Sequence, residues 1–433
     1  VTTPEPRLGF EAVQHLTKCY MIRAFAPSGA FPISAFRAEE YVSESTGTPF
    51  SGRTTPLPGR PFGFGPGEWS GAFGDLGTLL PLTLGAIAVA GLAPTPVFLG
   101  FAVFLIASAL IYRLPVPVQP MKAIAAVMLT TQIGPEAVAL SGVLIGIVLL
   151  GLGASGWITR VVRLVPQSVL AGLQLGLGMA LAVVAFELMA SAYLIAAVAL
   201  AILAIGLRFT QIPAVPVALV AMAGLGMLLG VPGITVSADA GFAPPAWPAL
   251  ADWHGALANL VLPQLALTFT NAILLTALIA GDHFREQAAH VTPRRLCLTT
   301  GFANLALTPF GALPMCHGAG GLAAHHRFGA RSGGALVILA LVLSAIALAP
   351  GDLGYTLLAV IPLAGLGALL LVTAGALIFT RRVFDSRPSC WPVIAVTGLM
   401  VLAIDPFWGL VAGMLAEAAR TRLVRAYFAR RVD

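Results

Sequence analysis

Charge is what this sequence has least of. Only 10% of its 433 residues are Asp, Glu, Lys or Arg, against 58% hydrophobic, whereas a soluble domain carries about 25% charged residues. That shortage excludes a water-soluble globular protein and leaves a polytopic membrane protein, in keeping with a mean hydropathy of +0.92. Lysine is scarcer still, since Lys18 and Lys122 are the only two. The four cysteines (Cys19, Cys297, Cys316 and Cys390) have neither paired nor metal-ligand spacing, so neither a disulfide framework nor a metal centre is expected. Residues 1–66 lack the apolar stretch of a signal peptide. Rich in Pro, Ser, Thr and Gly, they read as a poorly ordered cytoplasmic tail, with one short surface helix near residues 11–24.

What the sequence does have is apolar runs. Charged and Pro/Gly punctuation cuts residues 67–420 into fourteen segments, near 68–91, 95–112, 119–132, 137–155, 166–187, 190–207, 213–231, 258–280, 295–312, 316–328, 334–350, 354–379, 390–404 and 406–420. A full crossing takes about 20 residues, so segments 3 and 10 are too short. Both follow proline-containing, non-helical sequence, which membranes tolerate only where it is buried in protein or lines a cavity. Two half-helices are therefore expected.

Arginine placement sets the orientation. Counted from a cytoplasmic N-terminus, the inside loops hold Arg113, Arg160, Arg163, Arg208, Arg285, Arg294, Arg295, Arg327, Arg331, Arg381, Arg382 and Arg387. The outside loops hold Glu136, Glu187, Asp239, Asp252, Asp352 and Asp405, and no basic residue. Both termini are thus expected inside. The net charge of +6 is concentrated at the ends, with six basic residues before residue 61 and five after Glu417. Anionic lipid accounts for that placement without nucleic acid.

A weak internal repeat runs through the chain. Gln119-Pro-Met-Lys-Ala123 aligns with Leu313-Pro-Met-Cys-His317, and Pro166–Leu173 aligns with Pro362–Leu369. At the second spacing Asp75 falls on Asn271. Seven segments separate the copies, and an odd number turns the second copy upside down. Interrupted helices at matching places in inverted halves point to a transporter's binding site. Residues 67–231 form the first half, 232–257 an extracytoplasmic loop, 258–420 the second half and 421–433 a basic cytoplasmic C-terminus. The fold class is an all-α polytopic membrane protein with a 7+7 inverted repeat.

Two Pro-Met lead-ins aim two helix N-termini at a common point. Each terminus offers free N–H groups and about half a positive charge, which makes an anion site. Gly318, Gly320 and Gly321 would let the backbone approach a ligand and enlarge its bed. Lys122 adds a full charge, although a basic side chain at bilayer centre costs about 2.5–3.5 kcal/mol. A bound anion would justify that cost. A permanent bridge to Asp75, or snorkelling, would also explain it.

GAFGDLGTLLPL (71–82), PVPVQPMKAIAA (115–126), LPQLALT (262–268) and FGALPMCHGAGGLAAHHRFGARSG (310–333) resemble the signature blocks of the molybdate transporters related to the sulfate permeases. The resemblance spans residues 67 to about 380. It implies the core and gate domains of uracil permease and the sulfate permeases, and uptake of molybdate with tungstate as competitor. It also implies a relative without a STAS domain, because about a dozen residues follow the last segment. His325-His326 depart from the family pattern. Carried over by position, the oxyanion bed would comprise Gln119, Met121, Lys122, His317, Gly318, Ala319 and Gly320, faced by Gln264, Thr268, Asn271, Asp75 and Thr78. Cys316 belongs beside the bed, as a contact or as a small packing residue. For His317, donation to the oxyanion, a proton shuttle and a purely structural bond all remain open. His325, His326, Arg327 and Arg331 read as a topology anchor at the cytoplasmic end.

Two helix ends and Lys122 already balance a dianion. An ionised Asp75 would oppose loading and a protonated one would not. Proton coupling through Asp75 is expected, with Glu68 second. No cofactor is expected, molybdenum entering only as its oxyanion. The setting implied is a bacterial inner membrane, with a homodimer as a further possibility. Alternatives on the same fold are a sulfate or other small-anion transporter and an anion channel. A nucleobase symporter would need acidic residues within segments 8 and 10, which lack them. A hydrolase would need a nucleophile or metal cluster beside His317 and Asp75, and none is present.

Overall fold

The computed structural model describes residues 62–131, 133–161, 165–208, 214–233, 250–349, 356, 359–384 and 386–429. Most of the expected tail, the proposed surface helix at 11–24, most of the 232–257 loop and the last four residues lie outside that set. The described residues are helical nearly throughout. In order come α1 (Pro66–Ala72), α2 (Leu76–Ala90), α3 (Pro94–Tyr112), β1 (Gln119–Pro120), α4 (Lys122–Thr130), α5 (Pro135–Ser155), α6 (Gln167–Met189), α7 (Tyr193–Arg208) and α8 (Ala214–Leu229). The second half begins with α9, whose first turns are Leu250–Gly255 and whose last are Thr276–Phe284. Then follow α10 (Pro293–Leu307), β2 (Met315–Cys316), α11 (Ala319–Arg327), α12 (Gly334–Ala347), α13 (Leu363–Ile378), α14 (Trp391–Ala403) and α15 (Pro406–Ala429).

Sequence explains most boundaries. Proline opens α1, α3, α5 and α10 at their first turns, where its missing N–H costs nothing. Helix α3 shows why a membrane helix has no polar face. Phe98, Phe101, Leu105 and Ala109 are fully buried at helical spacing, while Val103, Ile106 and Leu110 on the other side are exposed and equally apolar. Lipid, not water, is the solvent for that face.

Helix pairing reproduces the inverted repeat. Helix α3 packs on α12 and α5 on α10, which are exchanged when each segment is swapped for its repeat mate. The same swap exchanges α7–α8 with α14–α15, and α6–α14 with α13–α7, while α6–α13 and β1–β2 map onto themselves. Glycines permit the closest approaches. An added Cβ at Gly172 or Gly176 of α6 would lie 2.4 Å from α14 side chains, those of Thr397 and Val401 respectively. Helices α1–α5 and α9–α12 form one group, the core, and α6–α8 with α13–α15 the other, the gate. The groups touch where α4 meets α6 and where α2 meets α13, with Thr373 donating to the Gly77 carbonyl at 2.9 Å.

Several boundaries differ from the sequence expectation. The first segment is two helices, α1 and α2, broken at Phe73–Asp75. The eighth begins at Leu250, inside the stretch read as loop, and widens into π-helical turns at Ala256–Val261 and Thr268–Leu275. Helix α15 carries on through most of the basic C-terminal stretch. Among the described residues, six helical stretches are long and apolar enough to cross a bilayer, while Tyr193–Ile205, Val215–Leu229, Gly334–Ala347 and Pro388–Ala403 are apolar but shorter.

Candidate oxyanion site

The two proline-containing lead-ins meet as a miniature antiparallel sheet, with Gln119 opposite Cys316 and Pro120 opposite Met315. Each lead-in is pinned by the helix that precedes it. Ser108 donates to Val116 O at 2.7 Å, while Asn304 accepts from Met315 N at 2.8 Å and donates to Met315 O at 2.6 Å. Ser108 and Asn304 are related by the same spacing that relates Asp75 to Asn271. Met121 N adds a bond to Pro314 O at 3.0 Å. Extended backbone at membrane depth thus finds its partners inside the protein.

Beside this junction is a small, partly open cavity. It is lined by Gln119, Lys122 and Cys316 from the junction, Gln264, Leu267, Thr268, Asn271 and Ala272 from α9, Gln174 from α6 and Leu377 from α13. Six of the residues expected in or beside the bed meet here: Gln119, Lys122, Gln264, Thr268, Asn271 and Cys316. Lys122, the first residue of α4, is half-buried. Among the described residues its ammonium has no hydrogen bond and no ion pair within 4 Å, the one ion pair being Arg420–Glu417. A permanent Lys122–Asp75 bridge is therefore not what the fold contains.

The amides are mostly committed. Gln264 accepts from Ala123 N at 2.9 Å, occupying one free N–H of the α4 terminus, and donates to Thr268 Oγ1 at 2.9 Å. Gln119 donates its Nε2 to both carboxylate oxygens of Asp75, at 2.6 and 2.7 Å. Asp75 is 4% exposed, sits in the break between α1 and α2, and accepts from Thr78 N at its backbone carbonyl. Asp75 and Thr78 therefore stand behind Gln119 and do not line the cavity.

The glycines serve this arrangement in an unexpected way. A Cβ at Gly318 would lie 1.9 Å from Gln119 Oε1, and one at Gly321 would lie 2.4 Å from Asp75 Oδ2. They make room for the Asp75–Gln119 pair, not directly for a ligand. Gly320 has nothing within 4 Å and, like Ala319 and Gly318, is absent from the lining. Met121 is fully buried in the core.

Two further expected residues are elsewhere. His317 is fully buried with its ring bonded to Pro117 O and Thr299 Oγ1, each at 2.9 Å. Phe104 and Tyr112 enclose it, so it straps one lead-in to the other and points away from the cavity. The Glu68 carboxylate accepts from Arg331 N, Ser332 N and Ala335 N at 2.9, 2.9 and 3.2 Å. It caps the start of α12, as an anion favours a helix N-terminus. His325 is not an open surface anchor either: it is 1% exposed and bonds Gly71 O at 2.6 Å.

Sequence reasoning missed Gln174. It is 7% exposed, lines the cavity from the gate side, and its Oε1 is buried without a partner. A lone amide in the otherwise apolar stretch 169–186 of α6 was the available signal.

A cation, amides and a hydroxyl meet in one cavity at the start of α4, inside the fold of a multi-pass membrane transporter for anions. Two solved structures share the fold. The transmembrane domain of the cyanobacterial bicarbonate transporter BicA superposes with a TM-score of 0.62 at 16% identity, over 79% of this chain and 96% of that one. The murine anion transporter Slc26a9, in its inward-facing state, gives 0.63 at 13% identity, over 93% and 77%. More particularly, residues 67–181 and 256–377 match the family described as "Molybdate transporter of MFS superfamily", and the chain belongs to that family. Those residues include every one that lines the cavity. Molybdate transporter 2 of Arabidopsis thaliana is 28% identical over 403 residues, covering 80% of this chain and 86% of the relative. Molybdate transporter 1 of Chlamydomonas reinhardtii is 33% identical over 180 residues, covering 40% and 34%.

Proposed function

We propose that this chain imports molybdate, with tungstate as a competitor, and holds the oxyanion in the cavity beside Lys122. The observation that carries the reading is Lys122, which lines the cavity and, among the described residues, has no ion-pair partner within 4 Å. A dianion entering there gains the full charge of Lys122 and the partial charge of the α4 start. Donors from Asn271 and Thr268 suit its oxygens. Gln119, Cys316 and Gln264 shape the wall. Family membership and the names of the relatives support molybdate as the ion.

Coupling to protons is part of the proposal. Asp75 reaches the cavity only through Gln119, so its charge is felt there without direct contact. Loading a dianion beside ionised Asp75 leaves excess negative charge, which one proton on that carboxylate relieves. Glu68, engaged by three backbone N–H groups, is a poorer carrier. In this reading residues 67–231 and 258–420 are the inverted halves. Residues 1–66 and 421–433 lie in the cytoplasm of a bacterial inner membrane, and the protein works as a monomer or a homodimer.

Calorimetry on the purified protein with molybdate, tungstate, sulfate and uracil is the first test. Molybdate and tungstate should bind, sulfate more weakly and uracil not at all. A preference for sulfate, or for none of the four, would reject the substrate. Uptake into proteoliposomes should accelerate with an inward proton gradient, and indifference to that gradient would remove the coupling. Ionic conductance without coupling would make the protein a channel.

A further inference from the structure

The two walls of the cavity are unequal. The core side brings Gln119, Lys122, Gln264, Thr268, Asn271 and Cys316, while the gate side brings only Gln174 and Leu377. The three glutamines also differ in what they do. Gln119 is bonded to Asp75, and Gln264 is bonded to Ala123 N and Thr268. Gln174 alone has a buried carbonyl oxygen with no partner.

With no partner on its oxygen, the amide is not held in one orientation by the protein and can present its N–H groups to the cavity. Gln174 sits on α6, in the span that packs against α14 through Gly172 and Gly176. Its backbone is therefore fixed to the gate, whereas Lys122 belongs to the core. We propose that Gln174 is the gate's own contact to the transported oxyanion. Its amide turns about the last torsion and donates N–H to an oxygen facing away from Lys122. This rests on the oxyanion reading above and adds a specific step to it. An ion held by Lys122 alone binds equally well whether or not the gate approaches. An ion that also takes a bond from Gln174 favours the approached state, and only such differential affinity can shift a conformational equilibrium. Gln174 thereby links occupancy to movement, and its reach sets which tetrahedral ion is large enough to touch both walls.

The test compares wild type, Gln174→Leu and Lys122→Ala, with molybdate alone as the probe. Leucine has a similar volume and removes the orphaned oxygen, so the ligand-free melting temperature should hold or rise. Molybdate affinity should fall about tenfold, as expected at the low end for one hydrogen bond to a charged group, and the molybdate-induced rise in melting temperature should shrink. The saturated uptake rate in proteoliposomes should fall by more than affinity does, because the conformational step has lost its drive. Gln174→Glu, which keeps the size, should weaken binding at least about tenfold by setting a carboxylate against the dianion. Wild-type affinity and saturated rate in Gln174→Leu, with binding abolished in Lys122→Ala, would overturn this inference and leave the oxyanion site intact. Failure of wild type to bind molybdate would overturn both.

Discussion

The two half-helices start from the same lead-in and end up with opposite duties. In the first copy, the residue after Pro-Met is Lys122, which faces the cavity unpaired. In the second, Cys316 and His317 follow Pro-Met. The thiol reaches the cavity, while the imidazole turns back to tie Pro117 and Thr299 together. The first helix carries the charge. The second, through Gly318 and Gly321, carries the space into which Asp75 and Gln119 fit. An inverted repeat duplicates backbone, and the side chains then divide the labour. Symmetry of fold does not imply symmetry of site.

That contrast can be broken most sharply at Lys122. Lys122→Ala should weaken molybdate binding tenfold to a hundredfold by calorimetry, the order of about 1.5–3 kcal/mol for a charge-assisted bond. Gly321→Ala comes next. Its Cβ collides with Asp75 and Gln119, so a destabilisation of about 1–3 kcal/mol typical of overpacking is expected, read as a lower melting temperature with slower uptake. His317→Phe removes two buried hydrogen bonds and should also lower the melting temperature, by an amount corresponding to about 1–2 kcal/mol. Molybdate affinity in the folded fraction should stay within about twofold, and a larger loss would return His317 to the site. Gly320→Ala closes the series. With open space around it, the substitution should leave uptake unchanged and stabilise the helix by up to about 1 kcal/mol.

Much of this architecture was legible because membranes restrict what a sequence can do. Short apolar segments behind proline were readable as half-helices. Of the cavity's core wall, Gln119, Lys122, Gln264, Thr268 and Cys316 were legible through the family blocks that contain them, and Asn271 through its repeat spacing from Asp75. Three features were not. The break at Phe73–Asp75 interrupts a run whose hydropathy is continuous, and it exists because Asp75 pairs with Gln119 from a different segment. The π-helical turns of α9 leave no periodic trace over a few residues, yet one of them holds Thr268 and Asn271 at the cavity; such turns favour functional sites. His317 looked like a ligand because an imidazole after a helix-breaking motif is chemically able. Its actual partner is the carbonyl of Pro117, and a backbone acceptor 200 residues away in sequence has no signature in composition or spacing.

The pairing of β1 with β2 has a consequence for how the molecule is made. When Gln119 and Pro120 reach the bilayer during synthesis, the strand that will satisfy their peptide groups has yet to leave the ribosome. Open amides in hydrocarbon cannot persist, so the first lead-in must wait outside the lipid interior, or under an insertion factor, until Met315 and Cys316 arrive. The seat for the ion is a late joint, owned by neither half. A ribosome stalled between the halves leaves a product that quality control can recognise by its bare backbone.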